Sequence, residues 1–177
     1  MTTIRPDDDT ARTAPLPAGE TNAAVPAAPG HDELVAFLNQ VLEAERAGVQ
    51  VTLQTARAAG AGPLGELMRA IQRDEAHWCA MLHRHIKALG EAPSPKIGAF
   101  YQKAMAIADV GERVTFLNRG QGWVVRKLQE MLARLPDNAL RADLADMLRS
   151  HEDNITLAND IAGPAPVITA SNAAGAQ

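Results

Sequence analysis

Four long segments of the chain carry apolar residues at helical spacing, and prolines stand where these segments begin or end. Apolar residues that recur every three or four positions form one buried face of an α-helix. We predict long helices over 32–59 and 63–90, a third that begins at Asp109 and a fourth that begins at Asp137. A short helix is predicted over 97–107. Four amphipathic helices of this length predict an all-α four-helix bundle.

Composition and charge exclude several classes of protein. The 17 Lys and Arg residues against 21 Asp and Glu give a formal net charge of −4, whereas proteins that bind nucleic acid or anionic membranes usually carry a basic surplus. The single cysteine, Cys79, excludes an intrachain disulfide and a cysteine-based zinc finger. No apolar run has the length of a membrane span, and no signal-peptide pattern is visible. We therefore expect a cytoplasmic protein without nucleic-acid or membrane partners.

Three regions can be distinguished along the chain. Residues 1–30 contain five of the eleven prolines and show no helical or strand period, so we predict a disordered N-terminal tail. Residues 164–177 have a similar composition and are predicted to form a flexible C-terminal tail. The bundle is expected to occupy residues 31–163.

Each of the four apolar faces is interrupted near its middle by one polar residue: Glu45, Glu75, Gln121 or His151. Glu45 and Glu75 lie 16 and 14 residues from the turn between the first two long helices. Gln121 and His151 each lie 15 residues from the turn between the last two. In an antiparallel hairpin, residues at equal distances from the turn lie at the same height. Because an unpaired buried charge costs several kcal/mol, we predict that the four side chains meet in one layer.

The two halves of the chain share this spacing. The polar residues are 30 positions apart in each half, from 45 to 75 and from 121 to 151. A shift of 76 positions also superposes Leu38 on Val114 and Ile71 on Met147. This weak repeat predicts two helical hairpins. The long segment between them exceeds an ordinary helix–helix turn and predicts a crossover connection.

Two equivalent hairpins, a crossover and mid-helix carboxylate and histidine residues resemble the ferritin-like superfamily over roughly residues 32–160. The stretch Asn-Arg-Gly-Gln-Gly-Trp-Val, from Asn118 to Val124, also resembles a group of uncharacterised bacterial ferritin-like proteins. The resemblance implies a ferritin-like bundle. It also implies a metal site in the core, because that superfamily holds two metal ions with a glutamate from two helices and a Glu-x-x-His pair from the other two.

The superfamily's ligand positions are kept at Glu45, Glu75 and His151. A fourth position holds Gln121 instead of glutamate, and Trp78 and Leu148 stand where the resemblance implies a histidine and a glutamate. These replacements remove charge and space from the site. The resemblance therefore implies a degenerate site that could hold a single iron or another divalent metal ion, with Gln121 as an additional ligand.

A displaced pair offers two more candidate ligands on the second helix. Asp74 and His77 have the i, i+3 spacing that places two side chains on one helical face. The alternative is that they are solvated charges at the edge of the bundle, because Arg73 adjoins Asp74.

Two glycines, Gly120 and Gly122, flank Gln121 inside the third long helix. A glycine in a helix interior costs roughly 1 kcal/mol relative to alanine. The pair indicates that something comes close to this helix, either a neighbouring backbone, the Trp78 ring or a small ligand; simple close packing is the alternative.

Two functions remain open from the residues alone. In the first, the polar layer binds a divalent metal; in the second, it is a metal-free hydrogen-bonded network within a protein-interaction or self-association module. Bundles of this kind often pair through an exposed apolar stripe, so a homo-oligomer such as a dimer is an expectation. The residues name no small-molecule ligand and no catalytic group.

Overall fold

The computed structural model describes residues 27–162, and all regular structure in this range is helical. The helices are α1 (His31–Ala59), α2 (Pro63–Ala88), α3 (Phe100–Met105), α4 (Val110–Leu132) and α5 (Ala139–Ala162). None of these helices combines the length and the apolar character that a membrane crossing requires. Apart from residues 27–30, the tails predicted for 1–30 and 164–177 lie outside the described residues.

Two helical hairpins build the bundle. Helix α1 packs along α2, and α4 packs along α5. The hairpins meet through α1 with α4 and through α2 with α5, which leaves α1 diagonally opposite α5 across the bundle axis. The crossover between α2 and α4 contains α3, which packs on α1 and α4. This arrangement confirms the predicted all-α bundle of two hairpins joined by a crossover.

Local sequence sets where the helices begin. Pro63 opens α2, where its fixed φ and missing N–H are tolerated. Asp109 caps α4, and its Oδ1 accepts the Glu112 N–H at 2.8 Å. The start predicted at Asp137 for the last helix is wrong by two residues. Asn138 is the cap there, because its Oδ1 accepts the Arg141 N–H at 2.9 Å and α5 begins at the next residue.

The crossover helix α3 is shorter than the predicted 97–107. The chain before it is held against α1 in a non-helical path. The Gly98 N–H donates to the Glu43 carbonyl at 3.0 Å, and the Ser94 N–H donates to Asn39 Oδ1 at 2.6 Å. Because these contacts are long-range, the local spacing of apolar residues could not reveal them.

The apolar core consists of two clusters at different heights in the bundle. One contains the early part of α1 and of α5 and the later part of α2 and α4, including Leu38, Leu82, Leu128 and Leu144. The other contains the opposite halves of the same helices, including Val51, Ile71, Leu117 and Ala158. The polar residues at 45, 75, 121 and 151 lie between the two clusters in every helix, so a polar layer divides the core.

Candidate functional site

The polar layer is buried. Only 2% of Glu45, 4% of Glu75, 4% of Gln121 and 2% of His151 is exposed. Each comes from a different helix, and all four line one cavity. The structure therefore brings together the four side chains that were predicted to share one height.

Glu45 and His151 are joined across the diagonal of the bundle. The His151 Nε2 and the Glu45 Oε1 are 3.1 Å apart, in a contact that links α1 to α5. Burial opposes protonation of the imidazole, but the Glu45 carboxylate attracts the proton, and the pKa of His151 is raised above its ordinary value. The contact is therefore a buried ion pair whenever His151 is protonated, and the two charges then largely cancel.

Glu75 is held by α1 rather than by the histidine. Its Oε2 lies 3.1 Å from the Thr52 hydroxyl, which also lies 2.8 Å from the Gly48 carbonyl. Burial and the nearby Glu45 charge raise the pKa of Glu75 well above its ordinary value. The Thr52 hydroxyl donates to Glu75 Oε2, and this hydrogen bond opposes the rise in the pKa of Glu75.

Gly48 makes room for the Glu75 carboxyl group. A Cβ at position 48 would lie 2.5 Å from Glu75 Oε1 and 2.9 Å from its Oε2. Such distances are shorter than van der Waals contact. The glycine therefore allows the carboxyl group to rest on the surface of α1, deep within the layer.

Four polar atoms of the layer have no hydrogen-bond partner among the described residues: Glu45 Oε2, Gln121 Oε1, Gln121 Nε2 and His151 Nδ1. Buried polar atoms are nearly always satisfied, and an unsatisfied one costs about 1–3 kcal/mol. Groups outside the protein's own side chains and backbone are therefore needed to complete the layer.

The cavity beside the layer has a volume of about 290 Å³ and lies between α1, α4 and the crossover. Apart from the polar layer, its wall is mainly apolar and includes Ala44, Phe100, Leu117, Trp123 and Val124. The exposed residues Gln40 and Ala99 also belong to the wall and bring the cavity to the molecular surface.

The Phe100 ring forms one side of this cavity and rests on Gly120. A Cβ at position 120 would be 2.7 Å from two ring carbons, whereas at Gly122 it would meet only Arg126 Nη1, at 3.7 Å. The same ring stacks on Phe116, with centroids 4.9 Å apart and planes inclined by 8°. The neighbour that requires a glycine at position 120 is therefore a crossover phenylalanine, and neither the Trp78 ring nor a second backbone.

Residues 32–160 match the model of a family described as a domain of unknown function, DUF6306. The chain belongs to this family. Among curated proteins, none matches the sequence.

The DUF6306 fold also occurs in a solved structure. A crystal structure described as ferritin-like, diiron-carboxylate proteins from Bacillus anthracis str. Ames superposes with a TM-score of 0.67. The sequences are 20% identical, and the match covers 75% of this chain and 97% of the other. This similarity confirms the ferritin-like fold that the mid-helix residues implied.

Two predicted ligands of the DUF6306 chain lie away from the centre of the layer. Asp74 is partly buried, and its Oδ2 accepts a hydrogen bond from Asn154 Nδ2 at 3.2 Å. His77 is exposed and meets Trp78 edge to face, with ring centroids 4.6 Å apart. The structure thus separates His77 from the buried layer.

The Trp78 side chain links α2 to α5 and packs against the apolar cluster that contains Leu38 and Leu82. Its Nε1 donates to Ser150 Oγ at 3.3 Å. Within residues 27–162, no three His, Cys, Asp or Glu side chains stand in the arrangement of a preformed metal site.

Sequence reasoning missed two residues that shape the site. Thr52 is buried on the inward face of α1, and its hydroxyl contacts the Glu75 carboxyl group. Phe100 lies within the predicted short helix 97–107, and its ring forms a cavity wall. The position of Thr52, one helical turn after Gly48 and two after Glu45, is a signal that could have found it, whereas Phe100 depends on a long-range contact.

Proposed function

We propose that this DUF6306 protein binds one divalent metal ion in the polar layer, with Glu45, Glu75 and His151 as its protein ligands. The observation that supports the proposal is that these three side chains, from three helices, meet at one buried level beside a cavity. Carboxylate oxygens and imidazole nitrogens are the donors that iron, manganese and zinc accept in proteins. Gln121 lies beside them as a neutral neighbour.

The donor set fits one ion better than two. The Bacillus anthracis structure is described as a diiron-carboxylate protein, and two ions in such a bundle take four carboxylates and two histidines. This chain has Gln121 at one of these positions, and the Trp78 indole occupies another, where it is bonded to Ser150. Two carboxylates and one imidazole balance the charge of one divalent ion.

Metal binding would require local rearrangement of side chains. The Glu45–His151 contact would open so that both groups turn to a shared ion, and Glu75 would release its proton. The cavity provides space for this movement. A bound ion would supply a Lewis acid in the core, and iron would add one-electron chemistry.

Metal analysis of the full chain tests the proposal. EDTA-treated protein is dialysed against Zn²⁺, Mn²⁺ or, without oxygen, Fe²⁺, and bound metal is counted by mass spectrometry. We expect one ion per chain for at least one metal, with an affinity that rises with pH because ligand protons must leave. Loss of a second-shell partner already costs 10–100-fold in affinity, so Glu45→Gln and Glu75→Gln should each weaken binding about a hundredfold.

A matched control is Glu66→Gln, which makes the same change at an exposed position of α2. It should leave metal affinity unchanged, and circular dichroism checks that all variants keep their helices. The proposal is wrong if none of the three ions binds at pH 8, or if binding survives both buried substitutions. In those cases the metal-free interaction module becomes the better interpretation.

The cytoplasmic location and the homodimer stay predictions. Light scattering of the full chain measures the oligomeric state.

A further inference from the structure

We infer that the cavity between α1, α4 and the crossover is a binding site for a small, neutral, mainly apolar molecule that carries a carboxamide-type group. The inference concerns Gln121 and the cavity wall. It does not depend on whether a metal binds to Glu45, Glu75 and His151.

Size and lining restrict the ligand. Small-molecule pockets in proteins usually have volumes of about 300–1,000 Å³, so a cavity of about 290 Å³ accepts a molecule near the lower limit, such as one ring with a substituent. The walls formed by Phe100, Leu117 and Val124 offer apolar contact. A polar or charged ligand body would lose its hydration against these walls without replacement.

The Gln121 amide indicates which polar group the ligand should carry. It is 4% exposed, it lines the cavity, and both its amide oxygen and its amide nitrogen lack a partner among the described residues. A side chain that presents one acceptor and one donor pairs best with a group that presents one donor and one acceptor. A carboxamide satisfies both atoms through two parallel hydrogen bonds.

Charge selects against ionised ligands. An ionised ligand would bring a further charge into a buried layer in which Glu45 already contacts His151, and the neutral Gln121 side chain cannot balance that charge. A neutral carboxamide avoids this cost, and its second N–H can donate to Glu45 Oε2, which has no partner among the described residues. The site should therefore prefer an amide to an acid of the same shape.

The test uses three fluorinated probes of similar shape with metal-free, EDTA-treated full-length protein. Binding of 4-fluorobenzamide, 4-fluorotoluene and 4-fluorobenzoate is measured by ¹⁹F NMR titration. Two net hydrogen bonds correspond to roughly tenfold to a hundredfold in affinity, so the benzamide should bind that much more tightly than the toluene. The benzoate should bind less tightly than the benzamide.

Substitutions assign the binding to the cavity. Gln121→Met should lower benzamide affinity to that of the toluene probe, whereas Gln129→Met, the same change at an exposed position of α4, should not. Ala44→Phe should fill the cavity and abolish binding of both neutral probes; if it fails to fold, Ala99→Phe at the exposed rim serves instead. Equal affinities for benzamide and toluene, or binding that persists in the filled cavity, would overturn the inference.

Because metal is absent from these titrations, a lack of probe binding would not contradict the proposal that the polar layer binds a metal ion. A failure of metal binding likewise leaves the probe result unchanged.

Discussion

Replacing Glu75 by glutamine should make the metal-free protein more stable, by an amount that grows with pH. Glu75 is 4% exposed, and burial together with the Glu45 charge raises its pKa well above the ordinary value of 4.5. The folded state therefore keeps a proton that the unfolded chain releases. Glutamine is nearly isosteric and has no charge to bury, so Glu75→Gln removes this linkage while it preserves the packing against Gly48.

The expected magnitude follows from proton linkage. A carboxyl group with a raised folded-state pKa stabilises the fold below the unfolded pKa, and this contribution is lost as pH rises through the folded pKa. Each excess proton changes the free energy of unfolding by about 1.4 kcal/mol per pH unit. The stability difference between Glu75→Gln and the parent should thus be constant below pH 4.5 and rise above it. This difference in the free energy of unfolding should increase by about 3 kcal/mol over two pH units, within the pH range in which Glu75 of the folded protein keeps its proton.

Urea unfolding at several pH values between 4 and 8, with EDTA present, measures this difference. Equal m-values for the two proteins would confirm that the substitution changes stability rather than the extent of unfolding. Glu66→Gln, at an exposed position of the same helix, should give a difference that hardly varies with pH. A pH-independent difference for Glu75→Gln would refute the reasoning, because Glu75 would then ionise alike in the folded and unfolded states.

Two further predictions concern α4 and α2. Gly120→Ala should destabilise the protein by about 1–3 kcal/mol, because the new methyl group would lie 2.7 Å from the Phe100 ring. Gly122→Ala should instead stabilise the protein by up to about 1 kcal/mol, since alanine has the higher helix propensity and its methyl group would meet only Arg126, at 3.7 Å. Thermal unfolding of both variants checks that the two changes in stability have opposite signs. Burial raises the pKa of the Cys79 thiol to about 12, so Cys79 should react with a disulfide reagent at pH 8 much more slowly in the folded protein than in urea. Equal rates in the two states would contradict this expectation.

The polar layer could be predicted from the sequence because it depends on local periodicity and on counting. Each of the four residues interrupts a helical apolar face, and antiparallel hairpins convert distance from the turn into height. Neither step needs knowledge of long-range contacts. The predicted boundaries of α1 hold within one residue for the same reason, since apolar spacing and Gly60 mark them.

The pairing inside the layer could not be predicted in this way. Which carboxylate meets the histidine depends on which helices are diagonal, and the structure pairs His151 with Glu45 rather than with Glu75. The path of the crossover also could not be predicted from the local sequence. Its path is fixed by contacts of Ser94 and Gly98 with α1, and these bring Phe100 to Gly120.

The diagonal contact between Glu45 and His151 has a consequence for how the hairpins dock. Leucine-rich faces above and below the layer would tolerate sliding by one helical turn, about 5.4 Å. Such a slide of α5 would carry the imidazole among aliphatic side chains and leave the carboxylate buried without a counter-charge, which costs about 3–5 kcal/mol. We expect these two residues to fix the register of the hairpins, as a single polar side chain does in a coiled-coil seam.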